Sequence, residues 1–237
     1  MDDEITKLDS PLDVMNLMHH AFDSLSRRVE SLAAAAQRGG SLEEFQVEFN
    51  LWVKQLLYHA TVEDEYMTPP LTDCSPARDN EAEHSELAQH GGRVAEYLAQ
   101  DEGAEFSNRV RRVMLDLADQ QHRELMGRLG EVQHILAKEV GRDRIIARTR
   151  RHLYQQVLEL RILEYDHFEN EEAFVMPLVQ AAFNESEQLA LVRRLLFEEG
   201  AENPRWIVDW VRQELSPTEG NLLAELETRL SPITTNI

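Results

Sequence analysis

The sequence predicts an all-α protein: an up-down four-helix bundle with one inserted helix and a short-helix C-terminal extension. Three observations carry this expectation. Long segments rich in Ala, Leu, Glu, Gln and Arg contain few glycines or prolines, a composition that favours helix. Apolar residues recur at three- and four-residue intervals, the spacing of one helix face. An eleven-residue phrase also occurs twice, as HATVEDEYMTP from His59 to Pro69 and as HFENEEAFVMP from His167 to Pro177. In each copy a Glu follows the His by four residues and a Pro follows the Glu by six.

The first helix is expected over about residues 11–37, with Ser10 as N-cap, Pro11 at the first helical position and Gly39-Gly40 ending it. Its apolar stripe is Met18, Phe22, Leu25, Val29, Leu32 and Ala36. His19 lies at the edge of that stripe, whereas His20 points more nearly the opposite way. The second helix starts at the capping-box pattern Ser41 and Glu44 and stops at Pro69-Pro70. Its aromatic face, Phe45, Phe49, Trp52 and Tyr66, is shared by Leu56, His59 and Glu63.

A loop over 72–80 leads into an inserted helix at about 81–100, which carries His84 and His90 and is weakened by Gly91-Gly92. The third bundle helix, about 105–140, has the stripe Ala118, His122, Leu125, Leu129, Val132 and Leu136, with His134 on the other face. The fourth, about 144–182, places His167 and Glu171 on one face with Leu153, Leu160, Leu163, Phe174 and Leu178. Residues 1–182 thus form the bundle, with the insertion at about 72–104, and 183–237 form the extension. Three short amphipathic helices are expected there, at about 186–199, 204–215 and 218–230, with Trp206 and Trp210 packing them onto the bundle.

The repeated phrase defines the candidate site. His and Glu one turn apart project together into an apolar seam, where unpartnered burial costs several kcal/mol. A metal ion held by a neutral imidazole and a carboxylate satisfies both. Level selects the remaining ligands. His19 and His59 each sit about twenty residues from the turn joining their helices, and His122 and His167 straddle the Gly141 turn in the same way. At about 1.5 Å per residue all four lie ~30 Å from their turns, so two hairpins with their turns together bring them to one level. The candidate ligands are therefore His19, His59, Glu63, His122, His167 and Glu171. His20 in place of His19, and His84 in place of His122, remain alternatives. Two imidazoles per metal with two bridging carboxylates make a dinuclear site inside a bundle, suited to iron and also to manganese or zinc. The alternative is a satisfied polar cluster without metal.

Composition narrows the partners. A formal charge of −20 over 237 residues speaks against nucleic acid or an anionic membrane surface as the main partner. No apolar run reaches the length of a membrane span. The acidic start, MDDEITKLDSP, has no apolar core of a secretory signal, and a lone Cys74 can form no internal disulfide. A cytoplasmic location is expected.

With HHAF at His19, HREL at His122 and the two His-x3-Glu-x5-Pro phrases, residues 11–182 resemble the hemerythrin-like, or HHE cation-binding, family. The resemblance implies two non-haem Fe ions, with His19, His59, His122 and His167 as terminal ligands and Glu63 and Glu171 bridging. Oxygen-carrying hemerythrins have a further ligand His one turn after the first on the third helix, where this chain has Met126. Four histidines leave more coordination positions open, which suits reaction or iron exchange better than plain oxygen carriage. The implied function is binding or sensing of O2, NO or peroxide, or iron supply under oxidative or nitrosative stress. A di-iron oxidase or peroxidase acting on a small molecule is the alternative from the enzyme class, and a metal-free helical adaptor is the third reading.

Overall fold

The computed structural model describes residues 4–72, 104–139 and 147–230, with side chains on the helix over 104–139 described for 115–135. The inserted helix expected at about 81–100, and with it His84 and His90, lies outside the described residues. All regular structure among the described residues is helical. A 3-10 turn, Pro11–Asp13, leads into α1 (Val14–Gln37). Then come α2 (Leu42–Val62), α3 (Pro69–Thr72), α4 (Ala104–Glu139) and α5 (Ala147–Asn170). The chain closes with α6 (Met176–Ala182), α7 (Glu185–Leu196), α8 (Trp206–Glu214) and α9 (Pro217–Leu230).

The helix ends follow from local chemistry. The Asp13 carboxylate accepts the Ser10 amide at 2.7 Å, closing the entry to α1. At its exit Gly40 N–H bonds Ala35 O at 2.9 Å and Gly39 N–H bonds Ala36 O at 3.1 Å, a Schellman stop. Gly39 takes φ 101°, which a side chain would resist. The Arg150 guanidinium adds bonds to the carbonyls of Ala36 (2.6 Å) and Gly40 (2.9 Å), placing a cation at the negative end of α1.

Helices α1, α2, α4 and α5 form the bundle, and neighbours run antiparallel. His19 lies by His59 while Arg28 pairs with Glu48, and His122 meets His167 while Arg128 pairs with Glu159. The core combines Phe22, Leu25 and Val29 of α1 with Phe45, Phe49 and Trp52 of α2, Leu125, Leu129 and Val132 of α4, and Val157 and Leu160 of α5, all buried.

The C-terminal helices pack on α1 and α2. The Trp210 ring sits 4.9 Å from Phe22, and Trp206 meets Tyr58 edge-on at 5.5 Å. Arg28 holds Glu214 through two bonds of 2.7 and 2.8 Å. Glu219, at the first turn of α9, accepts from the Ser216 and Ile5 amides and pairs with His20 at 2.7 Å. Among the described residues no helix is long and apolar enough to cross a membrane.

Both repeated phrases depart from regular α-helix at the same place. After α2, residues Glu63–Met67 form a π turn, and after α5 so do Glu171–Val175. Thr68 N–H bonds Glu63 O at 3.0 Å, and Met176 N–H bonds Glu171 O, each a five-residue span. Pro69 and Pro177 follow at once. A proline interrupts the regular ladder by lacking an N–H and by crowding the carbonyl four residues back, and the widened turn accommodates it.

The π turns correct two expectations. Tyr66 and Phe174, placed by regular spacing on the apolar faces of their helices, are 39% and 42% exposed. The extra residue turns the face forward by one position, so Met67 and Val175 are buried instead, at 1% each. Leu163 and Leu178 are only half-buried for their place on that stripe.

Candidate metal centre

The bundle core encloses six ionisable side chains, none more than 4% exposed: His19, His59, Glu63, His122, His167 and Glu171. Each bundle helix contributes, α1 with His19, α2 with His59, α4 with His122 and α5 with His167. The two glutamates open the π turns. All six residues singled out in the sequence lie here. His20 turns away to Glu219, and His134 and His152 are exposed.

The side chains form two overlapping groups whose ligating atoms lie within 4.8 Å of one another: His19, His59, Glu63 and Glu171, and Glu63, His122 and His167. Glu63 belongs to both. Its Oε1 lies 2.7 Å from His59 Nε2 and its Oε2 lies 3.1 Å from His122 Nε2. Glu171 Oε2 sits between His19 Nε2 at 3.3 Å and His167 Nε2 at 4.0 Å. Each carboxylate therefore spans one histidine from the α1–α2 pair and one from the α4–α5 pair.

These approaches are close, yet several of the atoms make no hydrogen bond. His19 Nε2, His59 Nε2, both Glu63 oxygens and Glu171 Oε2 are buried without an aligned donor or acceptor. Carboxylate oxygens and neutral imidazole nitrogens are both lone-pair donors, so crowding them together demands positive charge between them. Nitrogen and oxygen donors converging from four helices fit a metal pair of the imidazole–carboxylate type.

The opposite ring nitrogens of His19, His122 and His167 are held by residues that the sequence pattern does not indicate. His19 Nδ1 lies 2.7 Å from Glu172 Oε1, and His122 Nδ1 lies 2.9 Å from Asp64 Oδ1. His167 Nδ1 is 3.5 Å from Gln121 Oε1. Such outer partners fix the tautomer that leaves Nε2 free to ligate. Asp64 and Glu172 are the residues directly after Glu63 and Glu171. An acidic residue in that place in both copies, Glu-Asp and Glu-Glu, was the available signal. Phe168 completes the shell by stacking on the His19 ring at 4.0 Å.

Electrostatics separate the members. Burial pushes the His19 imidazole down, but Glu171 and Glu172 outweigh it and raise it to about 9. Burial likewise opposes the charge on His122, and Asp64 and Glu63 overcome it, to about 10. Burial, with the His122 charge beside it, holds His167 well below its ordinary value. Glu63 resists its own burial through His59 and His122 and stays well below the usual carboxylate range. Burial and the Glu63 charge push Glu171 up. In the metal-free centre, protons on His19 and His122 supply part of the positive charge that the carboxylates require.

Fold and site together define a helical bundle with a buried histidine–carboxylate cluster able to hold metal in its core. Residues 10–119 match the family model described as the hemerythrin HHE cation binding domain. The match takes in His19, His59 and Glu63 and ends before His122, His167 and Glu171. No curated protein and no solved structure matches the chain.

Proposed function

We propose that the chain is a non-haem di-iron protein that binds or senses O2, NO or peroxide, or supplies iron under oxidative or nitrosative stress. His19, His59, His122 and His167 serve as terminal ligands, and Glu63 and Glu171 as bridges. One observation carries this reading: the buried lone-pair donors of His19, His59, Glu63 and Glu171 converge without hydrogen-bond partners. Left so, each costs about 1–3 kcal/mol or more, which weighs against a metal-free adaptor. A pair of iron ions bound there supplies redox capacity and open coordination positions. The chain supplies the donor set, the orientation of its imidazoles through Glu172 and Asp64, and a dry interior.

The test is metal content per chain and an optical spectrum on protein purified from iron-replete cells. About two irons per chain, with charge-transfer absorption that shifts on adding NO or peroxide, is the expected result. Near-zero metal that persists after anaerobic addition of ferrous iron would overturn the reading.

A further inference from the structure

A cavity of about 280 Å³ opens to solvent between α1 and α5, lined by His19, Ser26, Leu158, Ile162, Glu164 and Phe168. It shares His19 with the metal centre, and the Phe168 ring that stacks on His19 forms part of its wall. At its floor, Glu164 is 2% exposed and accepts the Trp52 indole N–H at 2.5 Å. Glu164 lies one turn before His167 on α5, and Trp52 two turns before His59 on α2, so the pair joins both ligand-bearing helices of the repeated phrase.

Arg161 is the guanidinium at the cavity; its charge favours the Glu164 carboxylate, but less than burial opposes it, and Glu30 and Asp23 hold it. The other titratable groups facing the cavity are His19, His20 and Asp23 from α1 and Tyr165 from α5. Burial, with the Asp23 charge adding to it, pushes the Glu164 carboxyl up to about 8, against hydrogen bonds from Trp52 and Ser26. The floor group is therefore a neutral acid at pH 7. The wall is apolar, and Asp23 and Glu30 at the cavity repel anions, so the opening favours small uncharged molecules.

We propose that this cavity is the port through which a small neutral oxidant of the peroxide class reaches the metal centre, with Glu164 as the residue that hands it a proton. This rests on the metal-centre reading above. In the step, the Glu164 O–H bond breaks as an oxygen of the ligand gains the proton. The carboxylate then recovers a proton from solvent at the cavity mouth.

The test uses iron-loaded full-length protein, hydrogen peroxide as probe, and two variants. Glu164→Gln keeps the volume and the acceptor for Trp52. It is expected to retain iron content and to melt no lower than wild type, while its peroxide reaction slows at least about tenfold below pH 8. The wild-type rate should fall as pH rises through about 8, and the variant should lose that dependence. Ile162→Trp, at a position 61% exposed on the cavity wall, narrows the mouth and should slow the reaction with the pH profile retained. Infrared spectra give a readout independent of turnover: a protonated-carboxyl band in wild type, with or without metal, that titrates away near pH 8 and is missing in Glu164→Gln. Iron-loaded Glu164→Gln reacting at the wild-type rate at every pH overturns this proposal alone, as does the lack of that band in wild type. If Glu164→Gln fails to fold, an Ile162→Trp variant with an unchanged rate overturns the port. A wild-type chain that takes up no iron overturns the metal-centre reading and this proposal with it.

Discussion

His122 Nδ1 lies 2.9 Å from Asp64 Oδ1, so the residue next to Glu63 orients a histidine on a different helix. Glu172 repeats the relation with His19 at 2.7 Å. Neither carboxylate belongs to the ligand set, and both stay partly open to solvent, Asp64 at 46% and Glu172 at 24%. Removing either should spare the fold and weaken the metal. Asp64→Ala and Glu172→Ala are each expected to lower iron affinity roughly 10–100-fold, read by competition with a chelator. Asn and Gln at these positions keep an acceptor and should fall between.

Glu63→Ala should be far more damaging. Glu63 is fully buried between His59 and His122, and its loss strands the His122 charge in the core. Breaking such a buried set costs about 3–5 kcal/mol. Urea unfolding of the metal-free variant at pH 7 measures this, and metal analysis should show the centre lost as well. A Glu63→Ala chain that keeps both full metal and wild-type stability would contradict the bridging assignment.

Metal uptake should oppose protons. In the metal-free chain His19 and His122 hold protons up to about 9 and about 10, against an ordinary 6.5. A histidine raised in the folded state stabilises the fold fully below its unfolded value and loses that contribution as pH rises through the folded one. The metal-free melting temperature should therefore fall between pH 6.5 and about 10. Iron needs these nitrogens unprotonated, so its apparent affinity should climb over the same window. Calorimetry with and without iron should show a melting-temperature gap that widens with pH, and a constant gap would contradict the assignment.

Glu164 carries the opposite lesson. A carboxyl raised from 4.5 to about 8 on folding costs nothing below its unfolded value. It destabilises the fold progressively as pH rises toward 8, because the unfolded chain ionises first. Glu164→Gln should match wild type at pH 4 and melt higher than wild type at pH 8, by an amount set by a shift worth a few kcal/mol.

Trp210 is an apolar anchor of α8 on the bundle, alongside Ile207, Val208 and Val211. It is 5% exposed and packs on Phe22, whose ring lies 5.2 Å from His59. Trp210→Ala should cost about 3–5 kcal/mol by denaturant unfolding. Weakened iron binding should accompany the loss, because Phe22 then loses its backing behind His59, a ligand in the proposed centre.

Helix periodicity and capping chemistry located the helices well. The Ser10 and Gly39-Gly40 boundaries of α1, the third-helix stripe through His122, and the short helices beyond Asn184 were all readable as local patterns. Rise per residue alone puts His122 level with His19, His59 and His167, without reference to any contact. Two features lie beyond such local patterns. The π turns at Glu63 and Glu171 insert a residue that a fixed 3.6-residue template cannot register, which is why Tyr66 and Phe174 were assigned to the wrong face. The Asp64 and Glu172 pairings run between helices distant in sequence, and only the packed bundle makes them neighbours.

The crossed arrangement of these pairings bears on how the protein is made. His19 and His59 leave the ribosome early, but the carboxylate that orients His19, Glu172, lies 153 residues beyond it. The first half of the nascent chain therefore carries two of the four candidate histidines, with no partner to aim His19 and only one of the two candidate bridging carboxylates. On the proposed di-iron reading, tight capture of metal waits for α5 and its π turn to emerge and dock. Cofactor acquisition would then be a late event in biogenesis, and a ribosome stalled midway through this message would hold a polypeptide with little hold on the metal.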